Sequence, residues 1–172
     1  MRLGVVDVDH ITWVSLSQGA TSGLRYDPDH GIDVRLSCTS SGHAWLSTLP
    51  EDDAIALLSA QGLARPSEYG PNAPSSIAAV MKCVRQARKD GVSFASETYA
   101  RGLNAMSTPI VAAGNGAVGV LAMSGPSVRL TEAKMRQWAP ELIAAAADVA
   151  RASAASPLFR RAYSKPDLAH VA

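Results

Sequence analysis

Apolar and polar positions repeat in two ways along this chain, and together they predict sheet at both ends of a helical middle. Residues 3 to 8 and 11 to 17 are rich in valine, isoleucine and tryptophan and are separated by Asp9-His10, the composition of a first hairpin. A third short strand is predicted over Ile32 to Leu36. The hydroxyl cluster Thr39-Ser40-Ser41-Gly42 stands directly ahead of His43-Ala44-Trp45-Leu46, as expected where a helix begins; this helix should end near Leu49. Pro50 followed by Glu51, Asp52 and Asp53 places proline and three carboxylates at the positive end of a second helix, running to about Ala60. From 62 to 75 the breakers Gly62, Pro66, Gly70, Pro71, Asn72 and Pro74 predict a long loop, of the kind that often covers a site.

Ile77, Val80, Met81, Val84 and Ala87 recur at three- and four-residue spacing with Lys82, Arg85, Arg88 and Lys89 on other faces, which predicts an amphipathic helix closed by Gly91. A short strand is expected at Val92 to Ala95. The stretch from Gly102 to Val128 carries no charge and is long enough on paper to cross a bilayer, but Pro109, Gly114, Asn115 and Gly116 cut it into two buried strands joined by a tight turn. Thr131 to about Ala155 reads as the last helix, which Pro140 should kink or restart. Strands, helices, strands, helix is the order of an α+β fold with an antiparallel sheet covered by helices.

The 172 residues suit one domain, since a single core serves roughly 100 to 200 residues. With 47% hydrophobic and 18% charged residues the chain can bury a core. Sixteen basic and fifteen acidic side chains leave a formal charge of +1, so no net positive field draws this chain to phosphate backbones or anionic membranes. Cys38 and Cys83 have no partner at metal-ligand spacing, and Asp7 and Asp9 interrupt the apolar start before it reaches signal-peptide length. A cytoplasmic location with reduced thiols is the expectation. Residues 156 to 172, with Arg160, Arg161, Lys165, Pro157 and Pro166, form a tail outside the domain predicted over 1 to 155.

Reactive constellations are sparse. There is no G-x-S-x-G elbow, although Ser40 or Ser41 lies close in sequence to His43; His10, His30, His43 and His170 are scattered, and no phosphate loop occurs. Neither metal nor cofactor is expected. What remains is a pattern. Ser40-x-Gly42-x-Ala44-x-Leu46-x-x-Leu49-Pro50, then Gly91 with Glu97 and Gly102, then Ser124-Gly125-Pro126 with Arg129 resemble, in this order, the effector-binding domain of the isocitrate-lyase-regulator (IclR) family of bacterial transcription factors. The resemblance spans about residues 3 to 155.

It implies a GAF-like fold whose sheet and helices enclose a pocket for a small organic acid. It further implies a homodimer or homotetramer, with DNA bound only through an N-terminal domain not in this chain. Site residues implied are Ser41, Gly42, His43 and Leu46 on the first helix, Ala95, Ser96, Ala105 and Ser107 on the middle strands, and Ala122 and Ser124 on the strand that ends the hairpin. Backbone N–H groups at the helix start suit a carboxylate without a buried cation, and Ala122 and Ser124, two residues apart, should share a face.

Three positions depart from the family: an acidic residue is replaced at Ala95 or Ser96, a frequent cysteine is Ala105, and a frequent serine is Ala122. These changes either widen an apolar cavity, favouring an aromatic acid or related amide, or simply repack the core. Two other readings of the fold stand beside the sensor: an enzyme, as a hydrolase or a redox protein using Cys38 or Cys83, and a ligand-free assembly module.

Overall fold

The computed structural model describes residues 1–19, 34–65, 67–112 and 116–155. Strands β1 (Arg2–Asp7) and β2 (His10–Leu16) form the predicted hairpin. Helices α1 (Ser40–Leu46), α2 (Glu51–Gln61) and α3 (Ile77–Asp90) follow, then β3 (Ser93–Ser96), β4 (Leu103–Val111), β5 (Ala117–Pro126) and α4 (Glu132–Ala155). The strands make one antiparallel sheet in the order β2-β1-β5-β4-β3. This is the α+β layout that the order of periodicities implies.

Local chemistry accounts for the helix limits. Thr39 caps α1, its hydroxyl oxygen accepting from the Gly42 amide at 3.0 Å. Ser76 caps α3 in the same way through the Ala79 amide at 3.2 Å, and Gly91 closes it in the left-handed conformation with φ 71°. α4 runs through Pro140 as one helix rather than breaking there. Pro140 lies on the exposed side, where water can satisfy the carbonyl that loses its amide partner.

The predicted third strand is not formed in its described part. Val34 and Arg35 belong to no strand and Leu36 enters a turn; Ile32 lies outside the described residues, as do the turn residues Gly114 and Asn115 and the tail 156–172. Gln61 replaces the missing strand partner: its side-chain amide donates to the Val34 carbonyl at 2.9 Å and its Oε1 accepts from the Leu36 amide at 2.8 Å. A glutamine amide has the same donor and acceptor as a peptide, so it satisfies the backbone that a ladder would otherwise serve.

Two apolar clusters flank the sheet. On one side Trp45 and Leu46 of α1 pack with Leu36, Ala54, Leu58, Val80, Met81, Val84, Ile11 and Val120. On the other, Met135, Ala139, Leu142 and Ala146 of α4 pack on Met106, Ile110, Val118 and Leu121. The uncharged stretch from Gly102 to Val128 thus lies in β4 and β5 and their connections, and no described helix is long and apolar enough to cross a membrane.

Candidate functional site

The site is laid out by register. Ser93 pairs with Ser107 and Ser107 with Ala122; one step on, Ala95 pairs with Ala105 and Ala105 with Ser124. Directly paired residues of an antiparallel sheet project to one side. Six small side chains, three hydroxyl and three methyl, therefore floor the face beneath α1. The first row is sealed: Ser93, Ser107 and Ala122 are buried. In the second, Ala95 is buried while Ala105 and Ser124 are half-buried, so this end is the open one.

Helix α1 closes the first row with hydroxyls. The Ser40 and Ser41 Oγ atoms lie 2.8 and 3.0 Å from Ser107 Oγ, across more than sixty residues of sequence. Three hydroxyls carry three protons and the two bonds use two of them, so one O–H has no acceptor within the cluster. The Ser40 and Ser41 amides, in the first turn of α1, have no acceptor among the described residues either, because Thr39 takes the Gly42 amide and the Thr39 carbonyl takes the His43 amide. One O–H and two amides are thus left as donors that an anion could take.

Not every expected site residue stands here. Gly42 spends its amide on Thr39, and its lack of a side chain serves packing: a Cβ there would lie 2.4 Å from the Leu36 Cα. Leu46 is fully buried in the apolar cluster with Trp45 and Leu58. Ser96 is turned away from Ala95 to the opposite face, since neighbours alternate along a strand. Its hydroxyl donates to Glu132 Oε1 at 2.9 Å, in a groove of about 210 Å³ lined by Phe94, Ser96, Glu132, Met135 and Arg136. Two hydroxyls outside the implied set, Ser40 and Ser93, belong to the buried row instead; the cap ahead of Ser40 was the visible signal for the first, and only the register reveals the second.

His43 is buried, with Nε2 3.1 Å from the Ser37 carbonyl oxygen and Nδ1 without a partner among the described residues. Burial holds its pKa below the ordinary 6.5. Neither serine hydroxyl of α1 bonds to the ring, so no nucleophile-base pair is formed. Burial also pushes the Cys38 thiol up to about 12 and raises that of Cys83, which keeps both from the thiolate form that redox and nucleophilic chemistry require. Among the described residues no group of His, Cys, Asp and Glu could hold a metal ion.

The loop after α2 borders this region, as loops of its length often do. Asn72 reaches the exit of β3 through its side-chain amide to the Ser96 carbonyl at 3.0 Å and its backbone amide to the Glu97 carbonyl at 3.2 Å. Thr98 then ties that exit to the entry of α1, donating to the Cys38 carbonyl at 2.7 Å.

Comparison with known proteins places this arrangement. Residues 1–151 match the family model described as bacterial transcriptional regulator IclR C-terminal. The HTH-type transcriptional repressor AllR of Salmonella typhimurium is 28% identical over 102 residues, which are 59% of this chain and 36% of that protein. The chain thus spans about a third of the length of the curated relatives it matches. Among solved structures, IclR of Thermotoga maritima has a TM-score of 0.76 at 20% identity, covering 88% of this chain and 60% of that one. A double mutant of the PobR inducer-binding domain from Acinetobacter, in complex with 3-hydroxybenzoic acid, has a TM-score of 0.74 at 20% identity, covering 87% and 86%. At that identity the structures speak for the fold, while the relatives by sequence are transcriptional regulators and not enzymes. The family match extends over most of the chain, and the chain belongs to the IclR C-terminal family of bacterial transcriptional regulators.

Proposed function

We propose that this chain is the effector-sensing and oligomerisation domain of an IclR-type regulator in the cytoplasm, and that its effector is an organic acid, with aromatic acids and related amides favoured. The observation that carries the reading is the hydroxyl cluster of Ser40, Ser41 and Ser107, with one O–H and the Ser40 and Ser41 amides uncommitted among the described residues, set over a floor of alanines and serines. A carboxylate finds donors at the α1 end, and an apolar body finds Ala95, Ala105 and Ala122 beside Ser124. The aromatic acid carried by the PobR domain of the same fold is consistent with this choice. Pockets of this kind combine an apolar lining with a few placed polar groups.

Regulation then works by population shift. The acid binds one arrangement of paired domains more tightly than another, and its leverage on the DNA affinity of a helix-turn-helix segment outside this chain equals that difference. Homodimers or homotetramers supply the paired arrangement. A thermal-shift screen of aliphatic and aromatic acids tests the reading. An acid present at 100 times its Kd stabilises the chain by roughly 2.7 kcal/mol; a screen in which no acid raises Tm would leave the chain an assembly module.

A further inference from the structure

At the β3 edge of the α4 face lies a groove that the acid site does not use. Phe94 and Ser96, two apart on β3, project to this side together, and Glu132, Met135 and Arg136 meet them from the first turns of α4. Glu132 and Arg136 stand four apart with the acid nearer the helix start, the spacing and order that ordinarily bring a carboxylate and a cation together. Here they are held apart. Ser96 Oγ donates to Glu132 Oε1 at 2.9 Å, and the Arg136 guanidinium lies over the Phe94 ring, 5.2 Å from its centroid. Among the described residues no ion pair joins the two charges, and Arg136 has no hydrogen bond. Stacking uses the flat face of the guanidinium and leaves its N–H edge open, while the second oxygen of Glu132 keeps its capacity to accept. The groove these side chains line has a volume of about 210 Å³ and is backed by the buried Met135. A space of roughly 150 Å³ already takes a benzene ring.

We propose that this groove binds a free α-amino acid with an apolar side chain. Its ammonium group donates to the open oxygen of Glu132, its carboxylate accepts from the N–H edge of Arg136, and its side chain lies against Met135 and Phe94. The ligand completes the ion pairing that the helix spacing sets up and that Ser96 and Phe94 prevent. An uncharged apolar molecule leaves both charges unanswered, and a simple carboxylate meets Arg136 only with Glu132 opposing it. The groove lies across the sheet from the serine cluster, so it is independent of the acid-effector reading.

The probes are L-phenylalanine, N-acetyl-L-phenylalanine, which lacks the ammonium charge, and L-phenylalaninamide, which lacks the carboxylate. Each is titrated into the full chain carrying ¹³C at its methionine methyls, so that binding is read at Met135 rather than under α1; Met81, in the cluster beside α1, is the control. L-Phenylalanine should shift the Met135 methyl and leave that of Met81 in place. Each blocked derivative should bind there about fivefold more weakly, the scale of one exposed ionic contact. Glu132→Gln should erase the penalty of acetylation and Arg136→Gln that of amidation, and both side chains are exposed, so both variants should fold. An unmoved Met135 methyl at about 10 mM L-phenylalanine, equal affinities of the three probes, or ratios unchanged in the two variants would overturn the proposal. A shift confined to Met81 would overturn it as well and place the amino acid under α1.

Discussion

The two faces of the sheet are built from opposite materials. Against α4 the sheet presents Met106, Ile110, Val118 and Leu121, side chains with much apolar surface and no hydrogen-bonding demands, which meet Met135, Leu142 and Ala146. Against α1 it presents Ser93, Ala95, Ala105, Ser107, Ala122 and Ser124, which bury little area and bring hydroxyls that must be satisfied. Burial contributes in proportion to apolar area, so the α4 face is suited to hold the fold and the α1 face to hold something small. The apolar weight missing from the α1 face is made up beside it, where Trp45, Leu46, Leu58, Met81 and Val84 pack between helices.

This contrast can be broken by substitution. The largest loss is expected from Met106→Ala on the α4 face, about 3 kcal/mol of unfolding free energy by urea titration, with acid binding kept in the fraction that folds. Gly42→Ala should cost about 2 kcal/mol, because the new methyl meets the Leu36 backbone rather than a movable side chain. Its displacement of α1 should weaken acid binding as well. Ser107→Ala should cost only about 1 kcal/mol, since Ser40 and Ser41 lose their shared partner, yet calorimetry should show acid affinity falling more than for either larger loss of stability. Ser96→Ala, one residue from Ala95 but on the opposite face, should leave acid affinity unchanged; a loss equal to that of Ser107→Ala would contradict the assignment of faces.

Acidity offers the smallest lever. Burial depresses the pKa of His43 in the folded chain below the 6.5 of the unfolded one. Below that pH the unfolded chain binds a proton that the folded chain refuses, so stability is full above about 6.5 and declines as pH falls. Between pH 7 and pH 6 the change is under about 1 kcal/mol. It should be absent from His43→Phe in the same denaturation series, and a slope identical in the two proteins would place the titration elsewhere.

Much of the fold was legible because the relevant physics is local. The 3- and 4-residue recurrence from Ile77 to Ala87, with Ser76 before it and Gly91 after it, delimits α3 closely. The motif around Ser40 and Gly42 marked α1 and its family. Val34 to Leu36 misled because its apolar alternation is that of a strand, whereas the partner available to it was the Gln61 side chain, an arrangement no window of sequence contains. Ser96 misled for a related reason: proximity to Ala95 in sequence means opposition in a strand.

The amino-acid sequence by itself determined most helix starts, five of the stretches that form strands, the absence of strong net charge and the family motifs, since each follows from neighbours within a few residues or from simple composition. Only the tertiary structure decided that Ser40, Ser41 and Ser107 share a hydrogen-bond network, that Gly42 is small for the sake of Leu36, and that His43 is buried against the Ser37 carbonyl with Nδ1 unpartnered among the described residues. Those facts depend on residues far apart in the chain being brought within a few ångströms, and on the sheet register that assigns each side chain to one face.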